Sequence, residues 1–222
     1  MMKNMNLNKY VQSIDKSQCK RCKFYTNEEL KSRPIIIIPP PNKPQIMLIS
    51  RDPTIDFLSV YKYADGCGLN EKRRILFAAG IPQSLIVQIR RFLKRENNKK
   101  KKLWNKLEQK LENLYNIFEV AYWTHLHKCP TDEKNKLTKK CADKWLENEI
   151  EIAKKNKIQI LICLGRDVED WVNKNVGRKI KGIRRIHLPH PSGANNGKWY
   201  TQIDKDKKNI KNNIKKLMEN VK

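Results

Sequence analysis

Acidic residues are scarce in this chain of 222 residues. Only 23 Asp and Glu stand against 48 Lys and Arg, a formal charge of +25. No acidic cluster suited to binding two catalytic metals is present, which argues against two-metal hydrolysis. Long apolar runs are also lacking. None approaches the roughly 20 residues that span a bilayer. The opening stretch, MMKNMNLNKYVQSID, has no apolar signal core, so the expectation is an intracellular, cytoplasmic protein. Internal repeats and long linkers are absent, and the length suits one domain over residues 1–222. What is abundant is positive charge. Such a field draws polyanions, nucleic acid foremost and an acidic membrane surface second. Part of the charge is simply solvated lysine in a chain rich in Lys, Ile and Asn.

Six cysteines are present. Inside a cell they are poor candidates for disulfides, and a Cys-x-x-Cys pair points to metal or redox chemistry. Cys19 and Cys22 form that pair, and Cys129 and Cys141 follow much later. Together they make a candidate four-thiolate site. Zinc and an iron–sulfur cluster both accept four cysteines, and spacing does not choose between them. Two unrelated pairs of free thiols are the plainer reading. Cys163 lies within an apolar run and reads as core. Cys67, in Asp65-Gly66-Cys67-Gly68, is undecided.

Residues 1–33 are polar and carry the Cys19/Cys22 loop. Residues 34–41 (PIIIIPPP) read as a short extended piece closed by prolines. Ile46–Ser50 has the length and apolarity of a buried parallel strand. Arg73–Ala79 reads as a helix ended by Gly80. Ser84–Glu96 is amphipathic and basic, and residues 97–102 form a charged tip. Leu103, Trp104, Leu107, Leu111, Leu114 and Tyr115 recur at helical spacing. Phe118–Thr124 reads as a second core strand. Ala142, Trp145, Leu146, Ile150 and Ala153 mark a helix face. Ile158–Leu164 is a third strand, followed by the Gly165-Arg166 turn and a helix over Asp167–Val176. Arg185–Leu188 is a fourth strand. Ile203, Ile210, Ile214, Leu217 and Met218 line a closing helix.

Strands alternating with helices predict a parallel α/β sheet covered on both faces. Ligands in such sheets bind at the carboxyl ends of strands. Asp52, His125 and His190 all fall at such ends. A carboxylate at Asp52 can orient or deprotonate water, or stabilise an oxocarbenium-like sugar. The plain alternative is a turn, with its side chain bonding nearby backbone. His190, before Pro191-Ser192-Gly193, can donate a hydrogen bond to an oxygen that gains negative charge. The plain alternative is a loop histidine. Lys99–Lys102, with Arg90, Arg91, Lys94 and Arg95, serve equally well as a phosphate grip or a solvated loop. Trp199 and Tyr200 read as local packing rather than a base-stacking platform.

Taken together, these motifs resemble the uracil-DNA glycosylase superfamily, closest to its iron–sulfur family 4 branch. The stretch Ala121-Tyr122-Trp123-Thr124-His125-Leu126-His127-Lys128-Cys129-Pro130 is similar to that branch's "TNVVKCRP". Leu164-Gly165-Arg166 matches its "LGR", and His190-Pro191-Ser192 its second signature. The first motif, Ser50-Arg51-Asp52-Pro53-Thr54, departs from the branch's "GEAPG" and looks like the "GQDPY" of family 1. The resemblance implies a three-layer sandwich with a central four-stranded parallel sheet flanked by helices. It implies a monofunctional DNA glycosylase acting on uracil or another deaminated base, extruded from single- or double-stranded DNA. It assigns catalysis to Asp52, through water, and to His190, through the departing base. Arg51, Thr54, Tyr63, His125, Ser192, Gly193 and Asn195 become substrate-binding positions. His125 stands where the family reads uracil with asparagine, and an imidazole cannot copy that bidentate amide. Thr54 stands where family 1 excludes thymine with tyrosine. Tyr63 is nearest to the aromatic that sandwiches the base, and Asn195 to the wedge. Cys19, Cys22, Cys129 and Cys141 would hold a structural [4Fe–4S] cluster, with zinc as alternative, and residues 1–33 would be the cluster-binding segment. Residues 82–116 are a basic helical insertion relative to the family. Two other functions stand beside this one: a catalytically degenerate, nucleic-acid-binding relative, and a zinc-stabilised nuclease.

Overall fold

The computed structural model describes residues 6–19, 22, 27–96, 117–131, 141–177 and 180–191. Four strands form one parallel sheet in the order β2-β1-β3-β4. They are β1 (Ile46–Ser50), β2 (Ala121–His125), β3 (Ile160–Leu164) and β4 (Arg184–Leu188). Strand β1 is central, with Ile46 opposite both Ala121 and Ile160. All its residues are buried, as is usual for a parallel strand covered on two faces.

Alternation along the strands sends side chains to two separate cores. On one face Ile46, Leu48, Trp123, Ile162 and Leu188 pack against helices α3 (Phe57–Asp65), α4 (Leu69–Ala79) and α5 (Ile81–Glu96). Trp123 anchors this layer, edge-on to Phe57 at 5.4 Å and to Phe77 at 5.7 Å. Its ring lies so close to Gly80, at the end of α4, that a Cβ there would sit 2.3 Å from it. On the other face Met47, Ile49, Tyr122 and Leu161 meet α1 (Leu7–Gln12), the turn Ala142–Leu146 that runs into α7 (Glu147–Lys155), and α8 (Arg166–Asn175). The short helices α2 (Glu28–Lys31) and α6 (Ile117–Val120) and a 3-10 turn at Lys16–Gln18 are also present. The three-layer α/β expectation is met. No helix among the described residues is long and apolar enough to cross a membrane.

Several local expectations need correction. The second strand starts at Ala121, because Ile117–Val120 is one helical turn. An apolar run that short fits either state. The third strand starts at Ile160, and the helix ended by Gly80 starts at Leu69. The polar reading of residues 1–33 does not include α1: Leu7, Tyr10 and Val11 share its inner face and, with Ile14 just beyond it, are buried against the sheet. Tyr10 is fixed further by its hydroxyl, which donates to the Trp145 carbonyl at 2.9 Å. Helix α3, just after the first motif, was also unforeseen. The expected helices at residues 103–115 and 203–218, and the 97–102 tip, lie outside the described residues.

Candidate active site

The ladder between β1 and β2 does not stop where the strands end. Leu126 N–H donates to the Ser50 carbonyl at 2.8 Å, and His127 N–H to the Arg51 carbonyl at 2.9 Å. Thr131 N–H then donates to the Pro53 carbonyl at 3.1 Å, and Thr54 and Thr131 form a parallel bridge. Residues 126–131 are thereby lashed to the first motif.

Asp52 is buried, with 8% of its surface exposed. One carboxylate oxygen accepts from Arg51 Nε and the other from the Thr131 hydroxyl. The Arg51 side chain is half exposed and stands 3.9 Å from Asp167 at the start of α8. His127 is buried beside this group. Burial pulls its pKa down to about 4, and the Asp52 charge opposes that shift.

His125 ends β2 with 1% of its surface exposed. Its ring lies 5.0 Å from that of Trp123. Neither ring nitrogen has a hydrogen-bond partner among the described residues. Burial first, then the charge of Lys128, holds this imidazole neutral, with a pKa well below the usual value. An unpartnered buried donor or acceptor costs about 1–3 kcal/mol, so this ring calls for a partner beyond the described residues.

His190 lies two residues past β4, and its pKa is lowered by burial and by Arg51, with Asp52 opposing. It is therefore neutral near pH 7 and within electrostatic reach of the first motif. Gly165 makes room for it. This glycine has φ +90°, and a Cβ on it would stand 3.3 Å from the His190 Cβ. The turn from β3 into α8 thus requires glycine twice over, for backbone and for space.

Three polar groups thus sit at three strand ends, with His190 within electrostatic reach of both Asp52 and His125. The model of the uracil DNA glycosylase superfamily matches residues 38–217. The chain belongs to that superfamily. No curated protein matches the chain. The superfamily acts on DNA, in keeping with the +25 charge.

Other expected site residues are placed less closely. Thr54 is exposed and engaged with Thr131 through its backbone. Tyr63 is 75% exposed on α3, a surface position rather than a wall of the buried site. Ser192, Gly193 and Asn195 lie outside the described residues. Conversely, His127 and Thr131 gained no role from the sequence, because their partners are remote in the chain.

A buried ion pair underlies the site of this superfamily member. Lys128 Nζ meets Glu149 of α7 at 2.5 Å, and both are essentially inaccessible. Thr124 donates to Glu149 at 2.8 Å, Tyr122 also donates to it, and Lys128 also donates to Thr124. Every charge in this group is compensated, the condition under which a buried pair is tolerated.

The four candidate ligand cysteines converge from two directions. Cys22 and Cys129 share a small apolar cluster with Ile35, and Cys22 N–H donates to the Cys19 carbonyl at 2.7 Å. Lys128 N–H donates to Cys141 Sγ at 3.3 Å. Burial, reinforced by the neighbouring thiols, raises Cys129 to about 12 and Cys141 to about 11. The donor set suits a soft metal group, and the thiols lie within electrostatic range of one another. Among the described residues, however, no three His, Cys, Asp or Glu side chains stand at metal-holding spacing.

His127 provides a pH test. Its folded pKa of about 4 lies below the unfolded value of about 6.5. The unfolded chain therefore binds the proton first, and His127 adds stability above pH 6.5 that is lost as pH falls toward 4. Between pH 7 and pH 5 that loss is about 2 kcal/mol. Urea unfolding of His127→Gln should show a correspondingly flatter pH dependence, and an unchanged one contradicts the assignment.

Proposed function

We propose that this protein is a monofunctional DNA glycosylase that removes uracil or another deaminated base. The observation that carries the reading is the convergence at three strand ends of Asp52, His190 and His125, the last without a hydrogen-bond partner among the described residues.

Basic residues hold the backbone phosphates, and the target nucleotide leaves the stack at a cost of a few kcal/mol. Its base meets the neutral imidazole of His125, which offers one donor and one acceptor on diverging sides of the ring. Only one of these faces a base edge at a time. Recognition therefore rests on a single hydrogen bond, and uracil, hypoxanthine and xanthine all present a carbonyl that can accept it. As the glycosidic bond breaks, its electron pair goes to the base nitrogen and the sugar becomes cationic. The Asp52 carboxylate stabilises that cation and positions the water whose oxygen bonds to the sugar carbon. The water's proton passes to Asp52 or onward to solvent. His190 donates a hydrogen bond to the carbonyl oxygen of the departing base anion. A neutral imidazole suffices for that, in keeping with its lowered pKa.

Cys19, Cys22, Cys129 and Cys141 would hold an iron–sulfur cluster of structural role, with zinc as the competing occupant. The electrostatic influence of Cys19, Cys22, Cys129 and Cys141 on one another supports this reading. The group supplies no chemistry to the hydrolysis. Purified protein should contain iron and acid-labile sulfide, lost in Cys129→Ser. Zinc in their place would assign a zinc site.

Asp52→Asn and His190→Ala should each slow abasic-site formation by roughly 100-fold or more while DNA binding stays near normal. Salt-sensitive DNA binding without abasic sites, indifferent to both changes, would instead identify a binding protein that keeps only the fold.

A further inference from the structure

Thr131 reaches Asp52 from 79 residues away. We propose that Thr131 is the residue that positions the Asp52 carboxylate for catalysis, an inference that rests on the glycosylase reading above. Two donors hold the carboxylate, and they differ in kind. Arg51 has a side chain 55% exposed and lies between Asp52 and Asp167. It faces solvent where a DNA phosphate would pass, and arginine engages phosphate readily. Thr131 is only 8% exposed, its N–H donates to the Pro53 carbonyl at 3.1 Å, and its backbone bridges Thr54. Its hydroxyl is thus fixed relative to the chain that directly follows Asp52.

A carboxylate rotates about a soft terminal torsion and needs a fixed donor to define its plane. Thr131 supplies it on Oδ2, and each carboxylate oxygen keeps lone-pair capacity for water or the sugar cation. Arg51 can turn to phosphate without freeing the carboxylate. The two residues before Cys129 donate their N–H groups to the Arg51 carbonyl and to Cys141 Sγ, so the turn that presents Thr131 is anchored on both sides.

The test uses the full chain and two duplexes, one with a cationic pyrrolidine in place of the target nucleotide and one with a neutral tetrahydrofuran. The unaltered protein should bind the cationic duplex more tightly, and Asp52→Asn should abolish that preference. Thr131→Val should lower it roughly tenfold or more, as expected for a lost hydrogen bond to a charged group. Thr131→Ser should restore it, and Thr131→Val should add nothing in the Asp52→Asn background. Full preference in Thr131→Val, with loss in Asp52→Asn, overturns the positioning role alone. So does a loss that serine fails to rescue, or one shared by the neutral duplex, which would assign Thr131 to the fold. No preference in the unaltered protein, or none lost in Asp52→Asn, overturns the role of Asp52 and this inference with it.

Discussion

The burial of β1 on both edges and both faces is the constraint on which the other features depend. It pairs with β2 on one side and β3 on the other, and every residue from Ile46 to Ser50 is buried. A slip of one residue would exchange its two faces, sending Leu48 away from Trp123 and Met47 away from Tyr122. Register is thus set by two cores at once. Because the strands are parallel and aligned, their carboxyl ends arrive together. Asp52, His125 and His190 meet for that reason, although 138 residues of chain separate the first from the last.

Beyond the strand ends, precision comes from the 126–131 turn. It serves several parts of the molecule. Leu126 and His127 extend the ladder to β1, Lys128 enters a buried ion pair with Glu149, Cys129 joins the thiol group, and Thr131 holds Asp52. The thiol group and the Asp52 carboxylate are thus joined through one short turn.

The strands β1 and β3 were legible because each is a short apolar run bounded by polar or turn residues. The start of β2 was not, since Ile117 and Phe118 suit a helix as well as a strand. Helix α1 carried its signal in the open, with Leu7, Tyr10, Val11 and Ile14 at helical spacing, but charged and amide neighbours masked it. Asp52 and His190 were visible through motif and strand-end position. His125 was visible as a position, whereas its lack of partners emerged only from the packing around it. Thr131 left no local trace, because a hydrogen bond between residues 79 apart has no periodicity or motif. Gly165 was legible as a turn, but its need for glycine comes partly from His190 on another strand end.

On the proposed function, this superfamily fold, with His125 at the base-reading position, still breaks a glycosidic bond. The most direct measurement is mass spectrometry of free base released from oligonucleotides carrying uracil, hypoxanthine or xanthine. The account predicts free base equal in amount to the abasic sites formed, from at least one of these substrates. Intact oligonucleotides of all three kinds, while the protein binds them, would contradict it.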